Sequence, residues 1–255
     1  MLEVNNLTKR FGGLAAVNDV SVRFEANKVN AIIGPNGAGK STFFNLIAGT
    51  HKPTSGRIVL DGVDITHEPC DQIARLGVAR TFQTTNLFEQ ATVLDNLIVG
   101  HRLRTRSGLW DVLINSRRLQ REEKASRDKA REALDFVGLS HVENRFIADV
   151  TQEERKRVAF ALALATDPKI VLLDEPAAGV NPEETVGLAD LMRKMVRSGL
   201  TVCLIEHKMD MIMGIADKIM VLDHGEKISE GTPEQVKNDP VVIEAYLGSD
   251  DDAAA

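Results

Sequence analysis

Eight consecutive residues constrain the fold of this chain more than any others: Gly34-Pro35-Asn36-Gly37-Ala38-Gly39-Lys40-Ser41. They satisfy G-x-x-x-x-G-K-[ST] and lie between a short apolar segment, Val29 to Ile33, and a helix-like stretch from Ser41 to Ala48. The chemistry needs that spacing. Glycines let the backbone curl until successive N–H groups point inward at an anion, and the following helix adds its positive end. Lys40 then reaches terminal phosphates and Ser41 offers an oxygen to Mg²⁺, with Thr42 beside it. The pattern implies a nucleoside triphosphate held by residues 34–42, and a strand–loop–helix unit that belongs in an α/β fold.

A second segment completes such a site. Ile170-Val171-Leu172-Leu173-Asp174-Glu175 is an apolar strand ending in two acids. It would deliver its carboxylates to the C-terminal edge of a sheet, where α/β ligands sit. Asp174 is suited to hold Mg²⁺ through water, and Glu175 to orient or deprotonate an attacking water. Helical stretches at Glu153 to Ala165 and Glu183 to Arg197 precede the strands Ile170 to Leu173 and Thr201 to Ile205. That alternation predicts βαβ units and a largely parallel sheet. Near the N-terminus, Val20, Val22 and Phe24 alternate with Ser21 and Arg23, and Arg57 to Leu60 runs into the turn pair Asp61-Gly62. Both read as strands.

Composition removes other classes. The 255 residues carry 31 Lys and Arg against 37 Asp and Glu, a net charge of −6, which argues against nucleic-acid binding through bulk charge. The longest strictly apolar run, Val158 to Ala165, is far below the roughly 20 residues needed to cross a bilayer. Polar residues and Glu3 at the start do not resemble a secretory leader. Two distant cysteines, Cys70 and Cys203, form no metal cluster and suggest a reducing, cytosolic setting. Residues 102–131 stand apart, with ten Lys and Arg against four acids. They read as a helical segment whose basic face is either simply solvated or turned to phospholipid headgroups. Residues 249–255 read as a frayed tail.

Further motifs resemble the ATP-binding subunit of an ABC transporter, over essentially the whole chain from Leu2 to Gly248. Val78-Ala-Arg-Thr-Phe82-Gln83 resembles the family's Q-loop, and Asp174-Glu175-Pro176 with Ala177 to Pro182 its catalytic strand and D-loop. Ile205-Glu206-His207 matches its switch histidine, and Phe11 falls where the family stacks an aromatic ring on adenine. The resemblance implies a P-loop, RecA-like core with an antiparallel β-subdomain and an inserted helical subdomain over about 84–164. It implies ATP and Mg²⁺ as ligands, Glu175, His207 and Gln83 as catalytic groups, and Ser41, Gln83 and Asp174 around the metal. The match is closest to importers of branched-chain amino acids. It is carried by Arg80 to Gln83 leading to Phe88, by Ala177 to Pro182, and by Glu206 to Asp217. The implied partners are a second ATPase subunit, membrane permeases and, indirectly, a solute-binding protein, at the cytoplasmic face of the inner membrane.

One motif departs from the family. Its signature Leu-Ser-Gly-Gly-Gln falls on Val150-Thr151-Gln152-Glu153-Glu154. Thr151 keeps a hydroxyl, whereas Glu153 puts an anion where backbone should approach the γ-phosphate held by the opposite subunit. Like charges at close range repel unless neutralised. A heterodimer with one weakened ATP site is therefore expected. Two other readings stay open: a soluble ABC ATPase without a permease, and an ATP-binding regulator that hydrolyses weakly.

Overall fold

The computed structural model describes residues 1–81, 87–101, 111 and 116–251. Its N-terminal side is an antiparallel sheet. Strands β1 (Leu2–Phe11) and β2 (Leu14–Phe24) form a long hairpin, and β4 (Ser55–Leu60) and β5 (Val63–Asp64) extend it in the order β2-β1-β4-β5. The β4–β5 turn is Asp61-Gly62, both at positive φ, as a two-residue hairpin turn requires. The alternation read at Val20, Val22 and Phe24 is real: those three are buried, while Ser21 is intermediate and Arg23 exposed.

The second sheet carries the site. It joins β3 (Val29–Ile33), β6 (Val78–Thr81), β7 (Ile170–Asp174), β8 (Thr201–Ile205), β9 (Lys218–Asp223) and β10 (Glu226–Gly231) in the order β10-β9-β3-β8-β7-β6. All neighbours are parallel except the β9–β10 hairpin. Every residue of β3, β7 and β8 is buried, because helices or the other sheet cover both faces. Register then decides what meets at the edge. Ile205 pairs with Ile32 on one side and Asp174 on the other, so the chain leaves β3, β7 and β8 at one level. Gly34, Glu175 and Glu206 follow directly.

Two clusters fill the core. One holds Phe24, Phe43, Phe44, Ile58 and Leu60 between the two sheets, around α1 (Lys40–Ile47). The other lies on the opposite face of the parallel sheet. It joins that sheet to α3 (Val93–His101), α4 (Arg117–Val137), α5 (Gln152–Leu164) and α6 (Pro182–Arg197), through Leu97, Leu134, Phe160 and Leu188. Helices α3, α4 and α5 form the inserted helical subdomain. Basic α4 is ordinary in construction: Ser116 caps its start, Gly138 at φ +77 ends it, and Ala130, Ala133, Leu134 and Val137 are its buried stripe. Short α2 (Cys70–Arg75) precedes β6, while α7 (Met209–Ile215), α8 (Pro233–Lys237) and α9 (Pro240–Asp251) flank β9 and β10. Helix α9 reaches Asp251, inside the stretch expected to be a tail.

Candidate nucleotide site

The loop between β3 and α1 can be made only with glycine at two positions. Gly34 sits at φ +148, and a Cβ there would lie 1.9 Å from the Leu222 carbonyl oxygen. Gly39 sits at φ +93, and a Cβ there would lie 2.2 Å from the Ala16 carbonyl oxygen. Gly39 is also the N-cap of α1, which has no side-chain cap and no acid in its first turn. Its N–H groups are thus left to face the loop. Lys40 Nζ spans that loop, donating to the carbonyls of Gly34 and Pro35, each at 2.7 Å. Burial pulls the Lys40 ammonium below the usual lysine range, while the nearby Glu175 and Asp174 oppose that shift.

Those two acids are held differently. Asp174 is buried, with Oδ2 3.0 Å from Arg80 Nη2. Arg80 also donates from Nη1 to Asn45 Oδ1 on α1 at 2.6 Å. The expected metal carboxylate is therefore anchored to both β6 and the helix that follows the phosphate loop. Glu175 adopts φ +48, a left-handed conformation seldom taken by a non-glycine residue. Such strain persists only where surrounding contacts over-determine it. Its N–H donates to Ile205 O at 2.9 Å, and its Oε1 lies 3.0 Å from His207 Nε2. A proton on His207 Nε2 makes the ring the donor in this contact.

Phe11, Asn36 to Thr42, Glu175 and His207 line one open cleft of about 510 Å³, with His224 at its rim. Gly34 and Pro35 form the start of the loop beneath it. Phe11 is 46% exposed; its ring meets His51 edge-on, 5.6 Å between centroids, Lys9 Nζ lies 4.9 Å from the ring centroid, and the side chain borders the cleft. Base stacking needs such a ring. His224 lies in the β9–β10 turn, and that turn borders the cleft. Gln83 lies outside the described residues. Among the described residues, the Ser41 hydroxyl on the cleft wall and the Asp174 carboxylate, which also pairs with Arg80, could hold Mg²⁺. This hard-donor set suits Mg²⁺ when phosphate oxygens and water complete its shell.

The signature stretch is not at this cleft. Val150 to Glu154 begin α5, and Thr151 is its N-cap. The Thr151 hydroxyl accepts the Glu154 N–H at 3.2 Å, while the Glu154 carboxylate accepts the Thr151 N–H at 2.7 Å. The hydroxyl expected to grip phosphate thus caps its own helix. The Glu153 carboxylate pairs with Arg157 one turn on, at 2.7 Å, which neutralises part of its charge. Reading residues singly missed this pair, although an i,i+4 Glu–Arg spacing was visible. Also missed were Arg80, Glu206 and Lys208. A lone arginine in apolar Val78 to Thr81, and an acid directly after a buried strand, were the available signals.

This arrangement of phosphate loop, acid-terminated strand and histidine defines an ATPase cassette. The ABC transporter family model matches residues 17–178. A model for the branched-chain amino acid ATP-binding cassette transporter matches 226–252. The chain belongs to the ABC transporter family, as one of its ATPase subunits. It is 42% identical over 249 residues to the high-affinity branched-chain amino acid transport ATP-binding protein LivG of Escherichia coli, covering 97% of this chain and 98% of that one. A probable LivG of Archaeoglobus fulgidus is 34% identical over 98% of this chain and 96% of its own. Among solved structures, the ADP conformation of the ATP-binding cassette MJ1267 superposes with a TM-score of 0.85 at 33% identity, covering 97% and 98% of the two chains. The dimeric cassette MJ0796 bound to ADP and Pi superposes at 0.75 with 26% identity, over 91% and 99%.

Proposed function

We propose that this chain powers an importer of branched-chain amino acids by binding and hydrolysing ATP at the cleft above Lys40. The observation that carries the reading is the Glu175–His207 contact of 3.0 Å inside the cleft that also holds Lys40. Phe11 stacks on the adenine. The backbone of 34–39 and the α1 N-terminus hold the phosphates, and Lys40 turns from its loop carbonyls toward the β- and γ-oxygens. Mg²⁺, when bound, offsets charge on those oxygens, with Ser41, Asp174 and Gln83 as its protein-side partners. Glu175 orients the attacking water and accepts its proton. His207 fixes the Glu175 carboxylate through Nε2 and faces the γ-phosphate.

The partner is a second ATPase subunit of different sequence. Support comes from the altered signature: this chain keeps its own hydrolytic half, while Glu153 weakens what it offers to the opposite ATP. Among the described residues no helix is long and apolar enough to cross a membrane. Attachment to the cytoplasmic face of the inner membrane therefore comes through permease subunits. The test is purification of the chain from membranes with its accompanying subunits, followed by reconstitution in vesicles. ATP-dependent uptake of leucine, isoleucine or valine that stops with Glu175→Gln is the expected result. A complex that moves none of them, or a chain that brings no membrane subunit, overturns the assignment.

A further inference from the structure

Two charged side chains flank His207, and both grip the loop that follows β7. Glu206 is 3% exposed, and no cation pairs with it among the described residues. Its Oε2 accepts the backbone N–H of Ala177 at 3.0 Å, and its Oε1 accepts the N–H groups of His207 at 3.0 Å and Lys208 at 3.4 Å. A carboxylate taken from water without a counter-ion is costly, and these backbone dipoles are what offset it. Lys208 reaches the same way. Its Nζ donates to Val180 O at 3.0 Å and to Thr185 Oγ1 at 3.1 Å. Three consecutive residues after β8 therefore hold three levels of the segment that follows β7: Glu206 holds Ala177, His207 meets Glu175, and Lys208 holds Val180 in the loop and Thr185 in the first turn of α6.

We propose that Glu206 and Lys208 are positioning residues for hydrolysis, fastening the 175–185 segment to the His207 backbone so that Glu175 and His207 stay in register. The proposal rests on reading Glu175 and His207 as the hydrolytic pair. Glu175 is strained at φ +48, and its backbone is fixed on one side by its own N–H to Ile205 O. On the other side the Glu175 carbonyl accepts the Ala178 N–H at 3.1 Å, and Glu206 adds a side-chain restraint on this turn at Ala177. Without Glu206 the turn keeps only its backbone bonds, and the Glu175 carboxylate swings relative to His207. Nucleotide binding is untouched, because Lys40 and the 34–39 backbone belong to a different strand and helix.

The experiment uses the membrane-purified complex. Glu206→Gln keeps the shape but replaces one acceptor oxygen with an NH₂ group, so either Ala177 or His207 loses its partner. We expect kcat to fall about 10- to 100-fold, as an ångström of misplacement does, with ATP affinity held within about twofold. Hydrogen exchange of peptides covering 174–182 should speed up in the same variant. The decisive arm is a cycle with Glu175→Gln: if Glu206 acts through the Glu175 carboxylate, adding Glu206→Gln to that background costs no further activity. Lys208→Met should behave like Glu206→Gln, with Lys208→Arg restoring activity, and it carries the test should Glu206→Gln not fold. Full kcat in a folded Glu206→Gln, or an undiminished further loss in the Glu175→Gln background, overturns the proposal alone. ATP affinity unchanged by Lys40→Ala overturns the nucleotide site itself, and this proposal with it.

Discussion

Replacing Glu153 by glycine should make the protein less stable and its ATP chemistry better. Glu153 lies in the first turn of α5, where a carboxylate meets the helix dipole, and pairs with Arg157 at 2.7 Å with its side chain 31% exposed. The dipole contact is worth about 0.3–1 kcal/mol, the i,i+4 pair about 0.3–0.5, and glycine in the first turn costs up to about 1. The loss is about 1–2 kcal/mol, and for a chain of this size each kcal/mol moves Tm by roughly 2–4 °C, so Tm should fall by about 2–8 °C. The gain comes from the phosphate. A full charge about 4 Å away at a protein-surface dielectric repels by about 4 kcal/mol, and half of that remaining after neutralisation by Arg157 is worth about 30-fold in rate. The isolated chain should be a feeble ATPase, and Glu153→Gly should raise its turnover by about 10- to 30-fold, measured as steady-state phosphate release beside a thermal melt. A folded Glu153→Gly variant with parental or lower turnover refutes the repulsion. An unmoved Tm refutes the role given to Glu153 in the helix.

Lys40→Ala removes the cation built into the phosphate loop and should abolish tight Mg·ATP binding, read by titration calorimetry; parental affinity would sink the site. Glu175→Gln should bind ATP as the parent does and turn it over about 10²–10⁴-fold more slowly, with His207→Ala slowed in the same direction; parental hydrolysis would place the base elsewhere. Asp239 caps α9, accepting the Ser229 hydroxyl at 2.6 Å and the Val241 N–H at 3.0 Å, and these bonds hold its carboxyl below the ordinary 3.8. A depressed carboxylate stabilises the fold above its unfolded pKa and loses that contribution as pH falls through the folded value. Protection factors of the α9 amides, after correction for the intrinsic pH dependence of exchange, should therefore fall from about pH 4 downward, and Asp239→Asn should flatten that dependence.

What the sequence determined by itself was whatever is local in the chain. The glycines of 34–39 announce a backbone curl because only glycine takes those φ values. Apolar runs with β-branched residues announce buried strands, and Asp174-Glu175 announces acids at a strand's end. The phosphate loop, the parallel core and the two acids ending β7 were legible on that footing, and the contact between Glu175 and His207 was not. Other features exist only because β8 lies between β3 and β7 at one register, with Ile205 level with both Ile32 and Asp174. That register, between segments far apart in sequence, puts Glu206 under Ala177 and Lys208 against Val180. No periodicity or spacing encodes it, since strand order is chosen by how the helices and the second sheet bury the two faces of the core. The same holds for Arg80 bridging Asp174 and Asn45. The capping box at Thr151 and Glu154 was within reach of the sequence, and the structure shows the Thr151 hydroxyl accepting the Glu154 N–H, a bond that leaves its O–H to donate elsewhere.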